Sequence, residues 1–404
     1  MSKNKKNILF IIIGLSLIVI GGWIYFFFIK NEGEGGPIVI IDTVSPSTQP
    51  TQTPPSPQPT YTQGTQRFDL LSAESLLGPT VNTTSILFFD RTKGTFQSLL
   101  LSLGNKKATA ISETKFEGNS IKYIEWSLDK TAVIIRHTDY NQTTIFSVYK
   151  IPQNLLYTLP DYVLAATWSP DGKKIAVYRV DRAKNRYLIS TMDPDGSNVK
   201  ELLNIHISNI ELMWPSMDTL YFYDKPMQSK AIDGLFKYSF PTKQLGPLNI
   251  FSLAFGEDNS SSFHGITLFP SPDGKIIFFS YTNLSGTSLL SGIVNPSAIN
   301  EEAYLIDVPF SSLPQKCSWA KTGETIYCAY SDEFRNSNKV VPFDYWNGSL
   351  STNDSFARFN WKTGELKVYA EKTGFDATDV SVSPDESFLI FINRKDMNLY
   401  KMKL

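Results

Sequence analysis

The chain has 404 residues, of which 42% are hydrophobic and 13% aromatic, so it is long enough for a large core and too apolar to be disordered. Its 38 basic and 39 acidic side chains give a formal net charge of −1. With no basic run in the body of the chain, there is no electrostatic basis for nucleic-acid binding, and we expect no nucleic-acid partner.

The first element in chain order is an uncharged apolar run over residues 8–29, preceded by Lys3, Lys5 and Lys6. As an α-helix with a rise of ~1.5 Å per residue, this run is roughly 33 Å long and can cross a bilayer. The positive-inside bias places residues 1–7 in the cytoplasm and the rest outside. A cleaved signal peptide is the alternative, but the run is long and no Ala-x-Ala-like site follows. We predict an uncleaved single-pass anchor in the cell membrane, followed by an extracytoplasmic domain.

Residues 30–66 differ sharply in composition from the anchor, because they are rich in Pro, Thr, Ser and Gln. Such a segment buries little apolar area, and its prolines favour extended conformations. We therefore predict a disordered linker that separates the membrane from the next domain.

A repeated segment marks the domain over residues 67–404. Its clearest copy begins at Trp168 with Trp-Ser-Pro-Asp-Gly and indicates a strand, a tight turn and a second strand. Related segments recur near positions 84, 126, 214, 270, 319 and 382. Short strands repeated at intervals of about 40 to 60 residues are typical of a β-propeller. The prediction is an all-β fold with seven blades, and six or eight remain alternatives.

The copies at Trp168, Pro270 and Val382 resemble the repeat of TolB-type β-propellers, a WD40-like family. This resemblance covers only the repeats. It implies a propeller fold and protein interaction in an envelope assembly, and it transfers no binding residue to this chain.

Two predicted strands, 388–393 and 398–403, follow the strand that ends at Val382, so the last blade has three strands and lacks one. Propellers commonly close by taking this strand from the start of the domain. Residues 67–71 are the predicted closing strand, and residues 72–77 are expected to form a short helix.

The long connections that follow the second strand of each repeat should lie on one rim of the ring, where binding loops usually occur. A Tyr-Trp pair beside an Asp suits stacking on a sugar or packing on a peptide, whereas the alternative is that these aromatic rings cover their own blade. Basic residues on the neighbouring rim suit an acidic partner or a solvated loop. The predicted partner-binding residues are Phe343, Asp344, Tyr345, Trp346, Arg182 and Arg186.

The two cysteines, Cys317 and Cys328, flank the turn of one repeat. They are placed either for a cross-strand disulfide or as two buried thiols. Neither these cysteines nor the scattered His137, His206 and His264 have a metal-ligand spacing, so we expect no metal and no cofactor. The aspartates of the repeated turns are expected to cap their own turns.

The sequence shows neither a Gly-x-Ser-x-Gly motif nor an assignable pair of catalytic carboxylates. The expectation is therefore a non-enzymatic, membrane-anchored module of the cell envelope that binds a protein, a peptide or an envelope glycan. The alternative is a propeller-type glycan hydrolase or lyase with its site in the central funnel.

Overall fold

The computed structural model describes residues 68–101, 107–160, 162–205, 207, 209–225, 235–248, 264–282, 288–295, 305–336 and 338–404. They form seven antiparallel sheets of four strands each. The prediction of an all-β, seven-bladed propeller is thus confirmed. The predicted cytoplasmic tail, span and linker (1–7, 8–29 and 30–66) lie outside the described residues. Helices within the described ranges are too short to cross a membrane.

The strands follow one another from the first to the fourth strand of each blade, except that β1 (Phe68–Ser72) belongs to the last blade. Blade 1 comprises β2 (Leu76–Val81), β3 (Ser85–Asp90), β4 (Thr95–Leu100) and β5 (Thr109–Ala110). Blade 2 comprises β6 (Ile121–Trp126), β7 (Ala132–Thr138), β8 (Thr144–Lys150) and β9 (Leu155–Thr158). Blade 3 comprises β10 (Val163–Trp168), β11 (Ile175–Asp181), β12 (Arg186–Met192) and β13 (Lys200–Ile205).

The remaining blades continue this pattern. Blade 4 comprises β14 (Ile210–Ser216), β15 (Thr219–Asp224), β16 (Leu235–Ser239) and β17 (Gln244–Pro247). Blade 5 comprises β18 (His264–Pro270), β19 (Ile277–Thr282), β20 (Leu289–Val294) and β21 (Leu305–Asp307). Blade 6 comprises a 3-10 turn (Pro314–Lys316), β22 (Cys317–Trp319), β23 (Thr325–Tyr330), α1 (Glu333–Asn336), α2 (Phe343–Trp346), β24 (Ser355–Asn360) and β25 (Glu365–Ala370). Blade 7 comprises β26 (Ala377–Val382), β27 (Phe388–Asn393), β28 (Asn398–Lys403) and β1.

The first strands of the blades lie at the centre of the ring. β2 contacts both β6 and β26, β10 contacts β6 and β14, and β22 contacts β26. The apolar core lies between neighbouring sheets; for example, Tyr178 and Ile189 of blade 3 pack with Leu212 and Phe222 of blade 4. Because each sheet buries its faces only against its neighbours, the ring must close for every blade to be covered.

In blades 2, 3 and 5 the repeated turn that joins the first two strands has one hydrogen-bond pattern. Ser169 Oγ donates to Asp171 Oδ1 at 2.7 Å, and the backbone N–H of Lys174 donates to Ser169 Oγ at 2.9 Å. The same Ser-to-Asp bond recurs at Ser127 and Ser271. The turn aspartates therefore cap their own turns, as the sequence predicts.

The tryptophans of the repeats fasten adjacent blades. The indole Nε1 of Trp126 donates to the carbonyl oxygen of Gly78 at 2.8 Å, and that of Trp168 donates to the carbonyl oxygen of Glu125 at 2.9 Å. Each bond connects the end of one first strand to the first strand of the preceding blade. At these positions Trp supplies an indole donor that reaches across the interface between blades.

The ring closes through β1, which pairs antiparallel with β28, with Phe68 opposite Met402. The Phe68 ring lies 4.9 Å from that of Phe375 and 5.8 Å from that of Phe356, measured between centroids. The predicted closing strand is confirmed. The short helix expected over residues 72–77 is wrong, because β1 ends at Ser72 and β2 begins at Leu76.

Cys317 and Cys328 occupy directly opposite positions on β22 and β23. Their sulfur atoms are bonded at 2.07 Å, with the Cα atoms 4.1 Å apart. The bond joins the first and second strands of blade 6.

The contacts of Phe68 predict the effect of loosening the closing strand. Phe68→Ala should lower the free energy of unfolding by roughly 2–3 kcal/mol, because a partly buried ring is lost from an aromatic cluster. Leu70→Ala, in the same strand but 41% exposed, is the matched control and should cost about 0.5 kcal/mol. Urea unfolding of both variants measures the difference, and equal losses would contradict this role for Phe68.

Candidate active site in the central channel

The aromatic rim segment predicted to bind a partner forms α2, and most of it serves the protein's own structure. Tyr345 is 1% exposed, and its hydroxyl donates to Asp376 Oδ1 at 3.1 Å. Asp344 accepts a hydrogen bond from the backbone N–H of Val340 at 2.8 Å. Phe343 is half-buried, whereas Trp346 is 44% exposed. The structure thus leaves Trp346 as the most accessible of the four predicted side chains.

The predicted basic rim lies on blade 3 and is largely neutralised. Arg186 pairs with Asp181 at 3.1 Å and lies 3.7 Å from Glu201, while Arg182 is exposed in the same loop. Blades 4 and 5 separate these arginines from α2 on blade 6. The structure therefore does not bring the two predicted groups into one site.

A different set of polar side chains comes together at the centre of the ring. Tyr123 lies on β6 of blade 2, Glu211 on β14 of blade 4 and Asp379 on β26 of blade 7. Both carboxylates act electrostatically on Tyr123. Because these three blades are not neighbours, the side chains must face one another across the central axis. We call Tyr123, Glu125, Glu211 and Asp379 the channel cluster.

Asp379 has an unusual backbone conformation, with φ of +51°. It lies where the pairing of β26 with β27 shifts register, which is a β-bulge. The corresponding bulges of blades 1 and 5 contain Gly78 and Gly265, both with positive φ. An aspartate therefore occupies a position that other blades give to glycine. Strained non-glycine residues at a bulge concentrate at functional sites.

Two carboxyl groups of the channel cluster titrate well above their usual range. Burial within the ring raises the pKa of Asp379 to about 6. Burial also raises the pKa of Glu125 to about 7, against hydrogen bonds from Thr167 and Trp168 that lower it. Carboxyl groups poised near neutrality are suited to general acid and base catalysis.

The surroundings of the two carboxyl groups differ. Glu125 Oε1 accepts hydrogen bonds from Thr167 Oγ1 at 2.8 Å and from the backbone N–H of Trp168 at 3.2 Å, so it also joins blades 2 and 3. Among the described residues, no hydrogen-bond partner faces the Asp379 carboxylate. Asp379 is therefore the carboxylate that is available to a ligand.

Tyr123 and Arg136 place a phenol and a cation next to these acids. Tyr123 is 43% exposed, and desolvation within the ring together with the charges of Glu125 and Glu211 raises its pKa well above the usual value. The phenol therefore keeps its proton. The Arg136 guanidinium lies over the Tyr123 ring, 5.5 Å from the centroid. Lys225 pairs with Glu211 at 2.9 Å and supplies a second cation.

The channel cluster was not predicted from the sequence. Glu125 directly precedes Trp126, and Glu211 and Asp379 lie three residues before Trp214 and Val382, the equivalent positions of their repeats. The available signal was an Asp in one repeat where two others have Gly. Neither the bulge that aligns these positions nor the ring that joins blades 2, 4 and 7 can be recognised from composition or motif spacing.

Comparison with known proteins finds similarity in structure only. No family model matches the chain, and no curated protein matches it. Oligogalacturonate lyase from Vibrio parahaemolyticus aligns with a TM-score of 0.58 at 10% identity, covering 84% of this chain and 97% of that chain. An oligogalacturonate lyase in complex with manganese aligns with a TM-score of 0.57 at 13% identity, covering 86% and 98%. A chain of the mitotic checkpoint complex aligns with a TM-score of 0.51 at 11% identity, covering 92% and 99%.

Identities this low show a shared propeller fold. The comparison nevertheless corrects the prediction of a non-enzymatic module that binds a protein, peptide or glycan, because the matches with TM-scores of 0.58 and 0.57 are both lyases. The resemblance to TolB-type repeats finds no matching family model and stays a prediction.

The manganese of one aligned structure raises the question of a metal here. Within the described ranges, no group of three or more His, Cys, Asp or Glu side chains is arranged to hold a metal ion. The channel cluster therefore does not offer the ligand set of a metal centre, and we derive no step through a metal.

The raised pKa of Glu125 predicts a pH-dependent stability difference. A carboxyl whose folded pKa is about 7, against 4.5 in the unfolded chain, destabilises the fold progressively as the pH rises through this interval. Glu125→Gln keeps the oxygen that accepts from Thr167 and Trp168 but cannot ionise. Its thermal stability relative to wild type should therefore be higher at pH 8 than at pH 5. Glu117→Gln, at an exposed site, is the control and should show no such trend.

Proposed function

We propose that the chain is a glycan-cleaving propeller enzyme of the lyase class, which acts on a uronate-containing glycan in its central channel. The observation that carries the proposal is Asp379, a strained aspartate on an innermost strand whose carboxylate has no described hydrogen-bond partner and whose pKa is about 6. The alignment with two lyase propellers supports the reaction class.

The proposed reaction is a β-elimination. A base removes the proton at C5 of the uronate, next to the carboxyl group, while an acid protonates the glycosidic oxygen at C4. The C5–H and C4–O bonds break and a C4–C5 double bond forms, so no water is consumed. The reaction therefore requires a base, an acid and a group that stabilises the charge that develops on the substrate's carboxylate.

Each of these roles has a candidate in the channel. Asp379 is the base, since its pKa of about 6 leaves it ionised at neutral pH and its side chain is partly exposed. Tyr123 is the acid, because its raised pKa keeps the phenol protonated. The Arg136 guanidinium, held over the Tyr123 ring, offers paired N–H donors to the substrate's carboxylate. Glu125, half-protonated near pH 7, reduces the repulsion between the channel and an anionic glycan.

We also propose that the enzyme acts outside the cytoplasm and is attached to the membrane by its own N-terminal anchor. The support is the uncharged run at residues 8–29, the lysines before it and the Pro-rich linker at 30–66. A site carried on such a linker would reach glycans of the cell surface.

Removal of the proposed base tests the assignment. Asp379→Asn should lower kcat by about 10²- to 10⁴-fold with a smaller change in KM, because the amide cannot accept the C5 proton. Tyr123→Phe should reduce kcat by a similar factor. Glu117→Gln, outside the channel, is the matched control and should keep wild-type activity.

The assay must separate elimination from hydrolysis. A panel of uronate-containing oligosaccharides is followed both by the ultraviolet absorbance of the new double bond and by release of reducing ends. Both signals rising together support a lyase. Reducing ends without the absorbance would identify a hydrolase, and neither signal on any acidic glycan would overturn the proposal.

The two raised pKa values predict a bell-shaped pH profile. Activity should fall below pH 6 as Asp379 becomes protonated, and above pH 7 as Glu125 ionises and repels the substrate. Glu125→Gln should remove the alkaline limb and keep the acidic one. A kcat/KM profile in which this variant retains both limbs would show that Glu125 does not control substrate entry.

A further inference from the structure

A second cluster of charges lies beneath the loop that carries α1 and α2, and the channel chemistry does not use it. Lys316 is fully buried, and its Nζ lies 2.7 Å from Asp354 Oδ2 and 3.0 Å from Asp376 Oδ1. Nζ also donates to Thr352 Oγ1 at 3.0 Å and to the carbonyl oxygen of Ala377 at 2.9 Å. Asp354 and Asp376 are 0% and 1% exposed. We call Lys316, Asp354 and Asp376 the buried triad.

The buried triad is covered by aromatic rings and is closed to solvent. Lys316 Nζ lies 4.8 Å from the centroid of Tyr345 and 5.6 Å from that of Phe334. Moving an amine and two carboxyl groups out of water carries a large desolvation cost, and an ion pair in such a place adds little net stability. Because the desolvation cost of the buried triad is large and its ion pairs repay little of it, we look for a chemical role of these three groups.

The two carboxyl groups of the buried triad are not equivalent. Asp376 accepts hydrogen bonds from Thr352 Oγ1 at 2.8 Å and Ser351 Oγ at 3.0 Å, and Arg394 lies 3.4 Å away. Burial alone would raise the pKa of Asp376, but Lys316 and these hydrogen bonds outweigh it and lower the pKa. Asp376 is therefore held in its ionised form.

Asp354 is arranged differently at its two oxygens. Oδ2 accepts from Lys316 and from the backbone N–H of Ala377 at 2.6 Å. Oδ1 is buried and has no hydrogen-bond partner in the described part of the chain. Burial raises the pKa of Asp354, which favours the neutral acid. A neutral carboxyl with one oxygen held by a backbone donor and the other unbonded resembles an acyl group prepared for attack.

We propose that Lys316 and Asp354 condense to an intramolecular amide, an isopeptide cross-link within blade 6. The proposal rests on the contact of Nζ with the Asp354 carboxyl, the adjacent second carboxylate and the exclusion of water. It is independent of the activity proposed for the channel.

The condensation balances without any oxidant or co-reactant. The Lys316 ammonium transfers one proton to Asp376, and the resulting amine attacks Cγ of Asp354. The Nζ–Cγ bond forms, and negative charge on Oδ2 is held by the Ala377 N–H. Asp376 then delivers this proton to the departing Oδ1 hydroxyl, the Cγ–Oδ1 bond breaks and one water molecule leaves. The second proton of Nζ passes to the Asp376 carboxylate, so that a neutral amide and a neutral Asp376 remain. Fixed proximity in a dry site replaces the activation that amide formation needs in water.

The cross-link would fasten a particular part of the fold. Lys316 directly precedes β22 and Asp354 directly precedes β24, so the amide would close the loop that contains α1 and α2 at its base. The disulfide from the adjacent Cys317 joins β22 to β23. In blade 6, β22 would then be linked covalently to β23 by the disulfide and to the start of β24 by the amide.

The mass of the full chain tests the proposal directly. After reduction of the disulfide, the wild-type protein should be lighter than its sequence by one water molecule. Tryptic digestion should yield a branched peptide joining Lys316 to Asp354, with no cleavage after Lys316. A folded wild-type chain with the full sequence mass would overturn the proposal, as would a water loss that maps to another residue, such as a succinimide at an aspartate.

Variants separate the reactants from the proton carrier. Lys316→Arg alone and the double variant Asp354→Asn/Asp376→Ala should each have the full mass calculated from their sequences. Asp376→Ala alone should also have its full mass, although it leaves both reactants in place. Lys321→Arg, at an exposed lysine of the same blade, should keep the loss of water. A circular dichroism melt checks that each variant is folded. Water loss that persists at Lys316 and Asp354 in folded Asp376→Ala would overturn the role of Asp376.

Discussion

The structure depends on closure of the ring by the antiparallel pairing of β1 with β28. Each sheet is too small to bury both faces alone, so it is stable only between two neighbours. Closure also creates the candidate site, because Tyr123, Glu211 and Asp379 belong to blades that do not touch and meet only around a common axis. The same contact thus supports both the core and the channel chemistry.

The two ionic clusters show how differently a propeller can use buried charge. In the channel, burial raises the pKa of Asp379 and Glu125 into the range where proton transfer is efficient, and Asp379 retains access to a ligand. Beneath the loop of blade 6, Lys316 and the two carboxyl groups of Asp354 and Asp376 are buried and contact one another. The first arrangement suits turnover, and the second suits a single covalent event that stiffens the fold.

The lyase proposal rests on local chemistry more than on the fold. Propellers carry many unrelated functions, and the aligned structures include a chain of the mitotic checkpoint complex as well as two lyases. The local observation is an aspartate on an innermost strand, at a bulge position that blades 1 and 5 give to glycine, beside a protonated phenol and a guanidinium. The predicted rim residues lack this convergence, since Tyr345 is buried and Arg186 is paired.

The sequence by itself predicted the turns, the closing strand and a propeller of seven blades, with six or eight as alternatives, because these follow from local signals: Pro-Asp-Gly turns, apolar strands and a recurring interval. It also placed Cys317 and Cys328 on paired strands, though it left their bonding open. Only the tertiary structure decided which polar residues meet. Glu125, Glu211 and Asp379 are far apart in the chain, and Lys316 is 38 positions from Asp354. Their proximity arises from ring closure and from a folded insertion, and neither leaves a periodic trace in the sequence.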